Sequence, residues 1–525
     1  MSDAMAVDYS LYLVTDSTEA VLGDKDLATV VRDSINGGVT IVQYRDKKSE
    51  TAELIGMAKR LRSITSSLKV PLLINDRLDV ALAVGADGVH IGQDDMDIST
   101  ARKLLGPKAI IGVTCSTRAE VRMAVDGGAS YIGIGTVFAT PTKENAKSII
   151  GIVGVRAILQ ELTCLKEQVK TVAIGGINTF NVQRVMYQSQ SSSKALDGVA
   201  IVSGIIAAPD PRLAAMRLQS LMRTTPAFAL GVSIGASQSV DHLLVKIPDV
   251  VSEVRRTKPL CHNMTNLVVQ NFAANAVLCI GGSPIMANFG EEAESLARHG
   301  GSLVINMGSV TPEGISNYLQ ALNAYNHHGF PVLFDPVGAG ATQTRREALK
   351  TIMAGGYFHV IKGNESEIKA VLGQTDQQQK GVDSSSSSSA LEKASLVKEL
   401  AIKEGNVAIL TGATDYLSDG DRTYSVDNGS IYLSKITGSG CVLGSIIAAY
   451  MSAHRSDRLL ATLAAMLVYE IAAERAAERS DVKGPGTFVP AFLDELYNIT
   501  EETSTGNSEW LKAAKVEAID TNSNA

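Results

Sequence analysis

Eight short runs of aliphatic and β-branched residues follow one another between residues 10 and 225, each trailed by a segment of helical periodicity. The runs are LYLVTD, TIVQYRD, PLLIND, GVHIG, AIIGVTC, YIGIGTVF, TVAIGGI and GVAIVSGI, with STARKLLG and RAEVRMAVDGG among the segments after them. Strands separated by helices pair in parallel, and eight such units in roughly 200 to 250 residues predict a closed (β/α)8 TIM barrel. A doubly wound open sheet uses similar units. The barrel is preferred because polar residues recur where the runs end: Asp16, Gln43, Arg45, Asn75, Asp76, His90, Thr114, Gly175, Gly176 and Ser203. Barrel enzymes place their chemistry at those ends.

The remaining chain has a different grammar. PAFALGVSIGASQSVDHLLV, from residue 226, carries Gly, Ser and Ala without clear periodicity and reads as a linker. Beyond it lie an apolar helical stretch over 268–280, proposed strands at SLVINMGS, PVLFDPVG, FHVIKGN, VAILTG and IYLSK, and helices after Gly440 and over 459–478. That mixture predicts an α/β layered domain. The expected division is 1–230 barrel, 231–245 linker, 246–500 second domain and 501–525 frayed polar tail. The six serines at 384–389 read as a solvated loop.

Composition excludes several classes. Of 525 residues, 45% are hydrophobic and 20% charged, with a net charge of −7 that gives no general reason to expect nucleic acid as partner. Five irregularly spaced cysteines form neither a disulfide framework nor a metal pattern. Neither a signal peptide nor a membrane-length apolar run is visible, so a cytoplasmic location is expected.

Chemistry concentrates in QYRDK (43–47), ND (75–76), HIGQDD (90–95) and ATPTK (139–143). Asp76 ends the third run and Asp95 lies just past the fourth, so adjacent strands allow both carboxylates to face one ion. One or two carboxylates with substrate oxygens suit Mg2+. Arg45, Lys47 and Lys143 gather positive charge at the same rim, which implies a diphosphate. The glycines of AIGGI and the turn of IVSGI suggest a second anion site between the last two strands. His90 reads equally well as a packed strand histidine and is left without a role.

Together QYRDK, ND, HIGQDD, PTK, GGI and VSGI resemble thiamine phosphate synthase over nearly all of residues 10–225. The resemblance implies that Gln43, Arg45, Lys47, Asn75 and Lys143 hold a pyrimidine diphosphate, that Asp76 and Asp95 hold Mg2+, and that Thr114 lies against the pyrimidine. It also implies that Thr140, Thr142, Gly175, Val202 and Ser203 hold a thiazole phosphate. Thr114 stands where that family more often has serine.

In the second half, HNMTN (262–266), GGSPIMA (281–287), INMGS (305–309), DPVGAG (335–340), KGNESE (362–367), LTG (410–412) and TGSGC (437–441) carry the signal. A glycine-rich turn opening a helix favours an anion. Asp335 and Glu367 are placed to direct Mg2+ and its waters toward a nucleotide, and Lys362 to meet phosphate. The set resembles hydroxyethylthiazole kinase, of the ribokinase-like superfamily, over residues 245–500. By that resemblance Cys441 takes the place of the aspartate base common in the superfamily. Met286 contacts the thiazole, Lys362 and Thr411 the ATP, and Gly438 the substrate side of the loop. Lys362 replaces an arginine common in bacterial relatives. A helix N-terminus is expected to lower the Cys441 thiol below its ordinary value near 8.5.

The two halves resemble a fungal-type fusion in which the kinase makes the thiazole phosphate that the synthase consumes. ATP and Mg2+ are the expected co-substrate and cofactor. The expected assembly is a homo-oligomer with a trimeric kinase core, extending to a hexamer, with no membrane or nucleic acid partner. Three other readings stay open: a thiazole tautomerase-like barrel, a pyrimidine-alcohol kinase, and a non-catalytic ligand-binding assembly module.

Overall fold

A computed structural model of the chain describes residues 7–140, 149–165, 168–191, 193–226, 228, 239–374 and 388–521. The chain divides into two compact units, 1–226 and 227–525.

All eight predicted runs of the first unit are strands: β1 (Leu11–Val14), β2 (Ile41–Tyr44), β3 (Leu72–Asn75), β4 (Gly88–Ile91), β5 (Ile110–Cys115), β6 (Tyr131–Ile134), β7 (Lys170–Ile174) and β8 (Gly198–Ile201). They pair in parallel in chain order, and β8 returns to β1 through Leu11↔Val199, closing the barrel. Strands of four to six residues suffice because helices cover the outer face and side chains fill the inner one. Local sequence starts those helices. Asp26 accepts the Thr29 N–H ahead of Leu27–Asn36, Asp97 accepts that of Thr100 ahead of Ile98–Leu105, and Thr117 and Glu120 form a capping box on Arg118–Asp126. Inside the barrel, Tyr9, Tyr12 and Tyr131 join Val14, Ile41, Leu73, Val172 and Ala200. Three tyrosines in so small a space require partners for their hydroxyls.

The second unit is a three-layer sandwich around a nine-stranded sheet ordered β10-β9-β11-β12-β13-β14-β15-β16-β17. Its strands are β9 (Leu260–Met264), β10 (Ser283–Ile285), β11 (Ser302–Asn306), β12 (Val332–Asp335), β13 (Val360–Asn364), β14 (Val407–Thr411), β15 (Asp415–Ser418), β16 (Thr423–Val426) and β17 (Val516–Ala518). Pairing is parallel from β10 through β14 and antiparallel thereafter. Alternation along each strand feeds two cores: Val304 and Leu333 face the helices Ser439–Ala453 and Arg458–Glu478, whereas Leu303, Ile305 and Phe334 face Pro312–His328 and Ala390–Glu404. Every residue from Val442 to Met451 is buried, so the helix headed by TGSGC runs through the core.

Three expectations are corrected. IYLSK forms a 3-10 turn, Ile431–Lys435, because Ser430 caps it through the Tyr432 N–H. The linker ends earlier than residue 245, since Ser239 caps a helix over Val240–Thr257. The tail is not frayed: Pro485–Ser504 runs past residue 500, Trp510 is buried with its Nε1 donating to Thr503 Oγ1 at 2.8 Å, and β17 pairs with β16. A few apolar residues in a polar segment were enough to dock it. Of the six serines, 384–387 lie outside the described residues; Ser389 caps Ala390–Glu404 and Ser388 Oγ donates to Glu365 Oε1 at 2.6 Å. Among the described residues no helix is long and apolar enough to cross a membrane.

Candidate active sites

The C-terminal ends of the barrel strands surround one cavity. Gln43, Arg45, Lys47, Asn75, Asp95, Thr114, Thr140, Gly175, Val202 and Ser203 all line it, and so does His90. Asp76 adjoins it: Asn75 Nδ2 donates to Asp76 Oδ2 at 2.8 Å, and the Lys47 ammonium forms an ion pair with the same oxygen. Asp76 holds a left-handed backbone, φ 52°, uncommon for a residue with a side chain. Thr142 and Lys143 lie outside the described residues. Gly175, at φ 109°, could carry no Cβ, which would stand 2.5 Å from Thr136 Cγ2. Arg45 Nη1 lies 4.0 Å from Asp16 Oδ2.

These residues fit a magnesium ion. Lys47 shows that the Asp76 carboxylate accepts a cation here, while Asp95 Oδ2 is engaged by the Gly92 N–H at 2.7 Å. No group of three or more His, Cys, Asp or Glu side chains suited to a metal occurs among the described residues. Two carboxylates with phosphate oxygens are what Mg2+ ordinarily takes in such sites.

Below the mouth runs a line of hydrogen bonds that sequence reasoning missed. Gln43 Nε2 donates to Tyr12 Oη at 2.8 Å, and Tyr12 Oη lies 2.7 Å from Tyr131 Oη. Tyr131 Oη is 2.7 Å from His90 Nδ1, whose Nε2 is 2.7 Å from Thr114 Oγ1. Tyrosines inside strand-like runs read as core, and these two are core. The sequence signal is the pair of glycines beside them. A Cβ on Gly112 would stand 2.0 Å from Tyr131 Cζ, and one on Gly133 2.9 Å from His90 Cε1.

In the second unit, TGSGC leads into the helix Ser439–Ala453, with Gly438 as its cap at φ 85°. A Cβ on Gly438 would stand 2.6 Å from Val269 Cγ2, so the turn requires glycine on two counts. Cys441 Sγ accepts from Asn306 Nδ2 at 3.1 Å and lies 3.6 Å from Asn266 Nδ2. Asn306 Nδ2 also donates to Asp335 Oδ2 at 3.0 Å, and Lys362 Nζ lies 3.4 Å from that same oxygen. Glu367 accepts the Gly338 and Asn364 N–H groups, each at 2.8 Å. Neither asparagine was singled out from the sequence, although INMGS and HNMTN contain them. Thr411 ends β14 opposite Asn364, and Met286, just past β10, packs partly against the core.

Electrostatics correct one expectation. Burial pushes the Cys441 thiol up and the Asp335 carboxylate adds to it. Lys362, Asn306 and Asn266 pull the other way, leaving it at about 11. The helix terminus does not prevail because the thiol is buried beside a carboxylate. Burial and the nearby Asp335 likewise raise Glu367 to about 7, against the pull of its two N–H partners and Lys362. Burial opposes the Lys362 charge, but Asp335, Cys441 and Glu367 outweigh it, and the lysine stays ionised. Two carboxyls held in mutual repulsion fit a dication. Because both Glu367 oxygens already accept N–H groups, they suit its waters better than direct ligation.

Comparison with known proteins joins the two sites. Residues 11–205 match the thiamine monophosphate synthase model and residues 251–502 the hydroxyethylthiazole kinase family model. The chain is 42% identical over 517 residues to a probable thiamine biosynthetic bifunctional enzyme of Schizosaccharomyces pombe, covering 97% of this chain and 99% of that protein. The chain belongs to the family of thiamine biosynthetic bifunctional enzymes. A second member, from Saccharomyces cerevisiae, is 39% identical over 94% of this chain and 96% of its own length. The thiamine-phosphate synthase of Chloroflexus aurantiacus is 44% identical over its whole length and 44% of this chain. This bifunctional chain therefore carries a synthase domain at residues 11–205 and a kinase domain at 251–502, both transferases.

Proposed function

We propose that the kinase domain transfers a phosphoryl group from ATP to 5-(2-hydroxyethyl)-4-methylthiazole, and that the synthase domain joins the resulting phosphate to 4-amino-2-methyl-5-hydroxymethylpyrimidine diphosphate, releasing diphosphate. The observation that carries the reading is the barrel-mouth cavity in which Gln43, Arg45, Lys47, Asn75 and Asp95 meet Thr140, Gly175, Val202 and Ser203. Both halves of the product would meet there, one at the cationic rim and the other at the glycine turn after β7.

In the synthase, Mg2+ held by Asp76 and Asp95 would neutralise the departing diphosphate when bound. Arg45, Lys47 and Lys143 add fixed positive charge where negative charge develops. No protein nucleophile is needed, because the pyrimidine carbocation is captured by the thiazole nitrogen. Thr140, Thr142, Gly175, Val202 and Ser203 hold the second reactant in position for that capture.

In the kinase, Mg2+ near Asp335 and Glu367 would supply the charge that draws the γ-phosphoryl group off ATP. Thr411 and Lys362 serve the nucleotide side, Met286 packs the thiazole, and Gly438 leaves the turn open to the transferring group. Cys441 takes the alcohol proton. It does so as the thiolate, its own proton having passed to solvent before the substrates fill the site, and Lys362 with the Asn306 and Asn266 amides favours that form against burial and Asp335. We infer a trimeric kinase core, supported by the exposed Leu267, Val268 and Ile431 on segments flanking the site, whose relative exposures are 77%, 74% and 70%. Light scattering of the full chain tests it.

The functional test supplies the full chain with Mg2+ and each substrate pair in turn. Cys441→Ala should depress only the kinase reaction, and Lys143→Ala only the synthase reaction. No diphosphate release by the wild type from the two synthase substrates would overturn the synthase assignment.

A further inference from the structure

The line of buried hydrogen bonds beneath the barrel mouth joins two cavity-lining residues, Gln43 on β2 and Thr114 on β5. Each link has a fixed number of protons to give. Gln43 Nε2 donates to Tyr12, so the Tyr12 proton goes on to Tyr131 and the Tyr131 proton to His90 Nδ1. A neutral imidazole that accepts at Nδ1 carries its proton on Nε2, which then donates to Thr114 Oγ1. The Thr114 hydroxyl proton is left for the cavity, and so is the Gln43 carboxamide oxygen. Every member is satisfied in this direction. Reversing the line requires the Gln43 carboxamide to turn over, and that would exchange donor for acceptor at both ends together.

Burial keeps the line intact. Tyr12 and Tyr131 are 1% and 0% exposed, and both phenols are held well above their ordinary value by desolvation, so neither gives up its proton at working pH. Gln93 Nε2 donates to the Thr114 carbonyl at 2.7 Å, which pins the backbone at the far end.

We infer that this line sets one hydrogen-bond polarity at the barrel mouth, presenting a carbonyl acceptor at Gln43 and a hydroxyl donor at Thr114 to the amino group and a ring nitrogen of the aminopyrimidine. His90 and Tyr131 are thereby positioning residues of the synthase. The inference rests on the synthase reading and adds to it the direction in which the pyrimidine is read. A ligand with the same outline but a C–H in place of that nitrogen would meet a donor with nothing to accept it.

The test measures equilibrium binding of the pyrimidine diphosphate to the full chain with Mg2+ and without thiazole phosphate, beside its two pyridine analogues, each with one ring nitrogen replaced by C–H. The wild type should bind one analogue about tenfold more weakly, the effect of one good neutral hydrogen bond. His90→Leu should abolish that ratio. His90→Gln, whose carboxamide can accept from Tyr131 and donate to Thr114, should restore it, which a merely space-filling histidine would not. An unchanged ratio in His90→Leu, or no ratio in a wild type that binds the pyrimidine, overturns the inference alone. A wild type that does not bind the pyrimidine diphosphate overturns the synthase reading with it. Neutron diffraction of the deuterated wild-type chain gives a second readout independent of variant folding: a deuteron on His90 Nε2 is expected, and one on Nδ1 with Nε2 bare refutes the polarity.

Discussion

Glu367 offers a quantitative test of how the kinase site is charged. Its carboxyl has an ordinary value of 4.5 and is raised to about 7 in the folded protein, first by burial and then by Asp335. Between those values the native state binds the proton that the unfolded chain has released, so stability falls as pH rises through the window and levels off above it. The difference corresponds to about 3 kcal/mol at 1.36 kcal/mol per unit. Glu367→Gln removes the ionisation but offers one acceptor to two N–H groups, a constant penalty of about 1–2 kcal/mol. The pH dependence of the difference between variant and wild type is therefore the clean observable. Urea unfolding can be followed through Trp510, the chain's single tryptophan, which is buried in the kinase unit. In EDTA, the variant should gain about 3 kcal/mol on the wild type between pH 4.5 and 8, with a slope approaching 1.4 kcal/mol per pH unit near the middle. Parallel curves would falsify the argument that Glu367 sits ionised against its surroundings. Kinase turnover should fall in the same variant, since the charge that destabilises the fold is the one offered to the metal's waters.

Cys441→Ala should lower kinase turnover by about 10²- to 10⁴-fold, the usual worth of a general base, with the synthase reaction unchanged. At pH 7, iodoacetamide should label the exposed Cys164 before Cys441, whose thiol is pushed up to about 11; mass spectrometry showing the reverse order would refute the raised thiol. Arg45→Ala should weaken pyrimidine diphosphate binding by roughly 10- to 100-fold through loss of a charge-assisted contact, read by calorimetry. Trp510→Ala should cost the kinase unit about 3–5 kcal/mol while synthase turnover persists, read by differential scanning calorimetry alongside both assays.

The barrel was legible because its information is local. Each run of four to six residues had to be a strand, each intervening segment a helix, and polar residues at strand ends had to share one rim. The kinase sheet was half legible for the same reason. Its central parallel strands, β11 to β14, begin in apolar runs, whereas β9 (LCHNM) and β10 (SPI) are short and mixed, and β15 and β16 lie in DYLSDGDRTYSV, where hydroxyls and charges obscure the alternation. β17 is a three-residue edge whose pairing comes from residues some ninety positions earlier. The sites divided in the same way. Residues proposed to meet a ligand carried motif signals, while Tyr12, Tyr131 and Asn306 contact other side chains and looked like core or strand. The sign of the Cys441 shift was out of reach because it depends first on how deeply the fold buries the sulfur and then on Asp335, which is distant in sequence.

Gly112 and Gly133 give the barrel a form of vulnerability that an inventory of functional groups would overlook. Neither contributes an atom to the chemistry, and the line from Gln43 to Thr114 exists only because both lack a side chain. In a saturation scan of the synthase, alanine at either position should score nearer to loss of His90 than to an ordinary small-residue exchange. The map of intolerant positions would then trace the outline of two aromatic rings rather than the outline of the substrate.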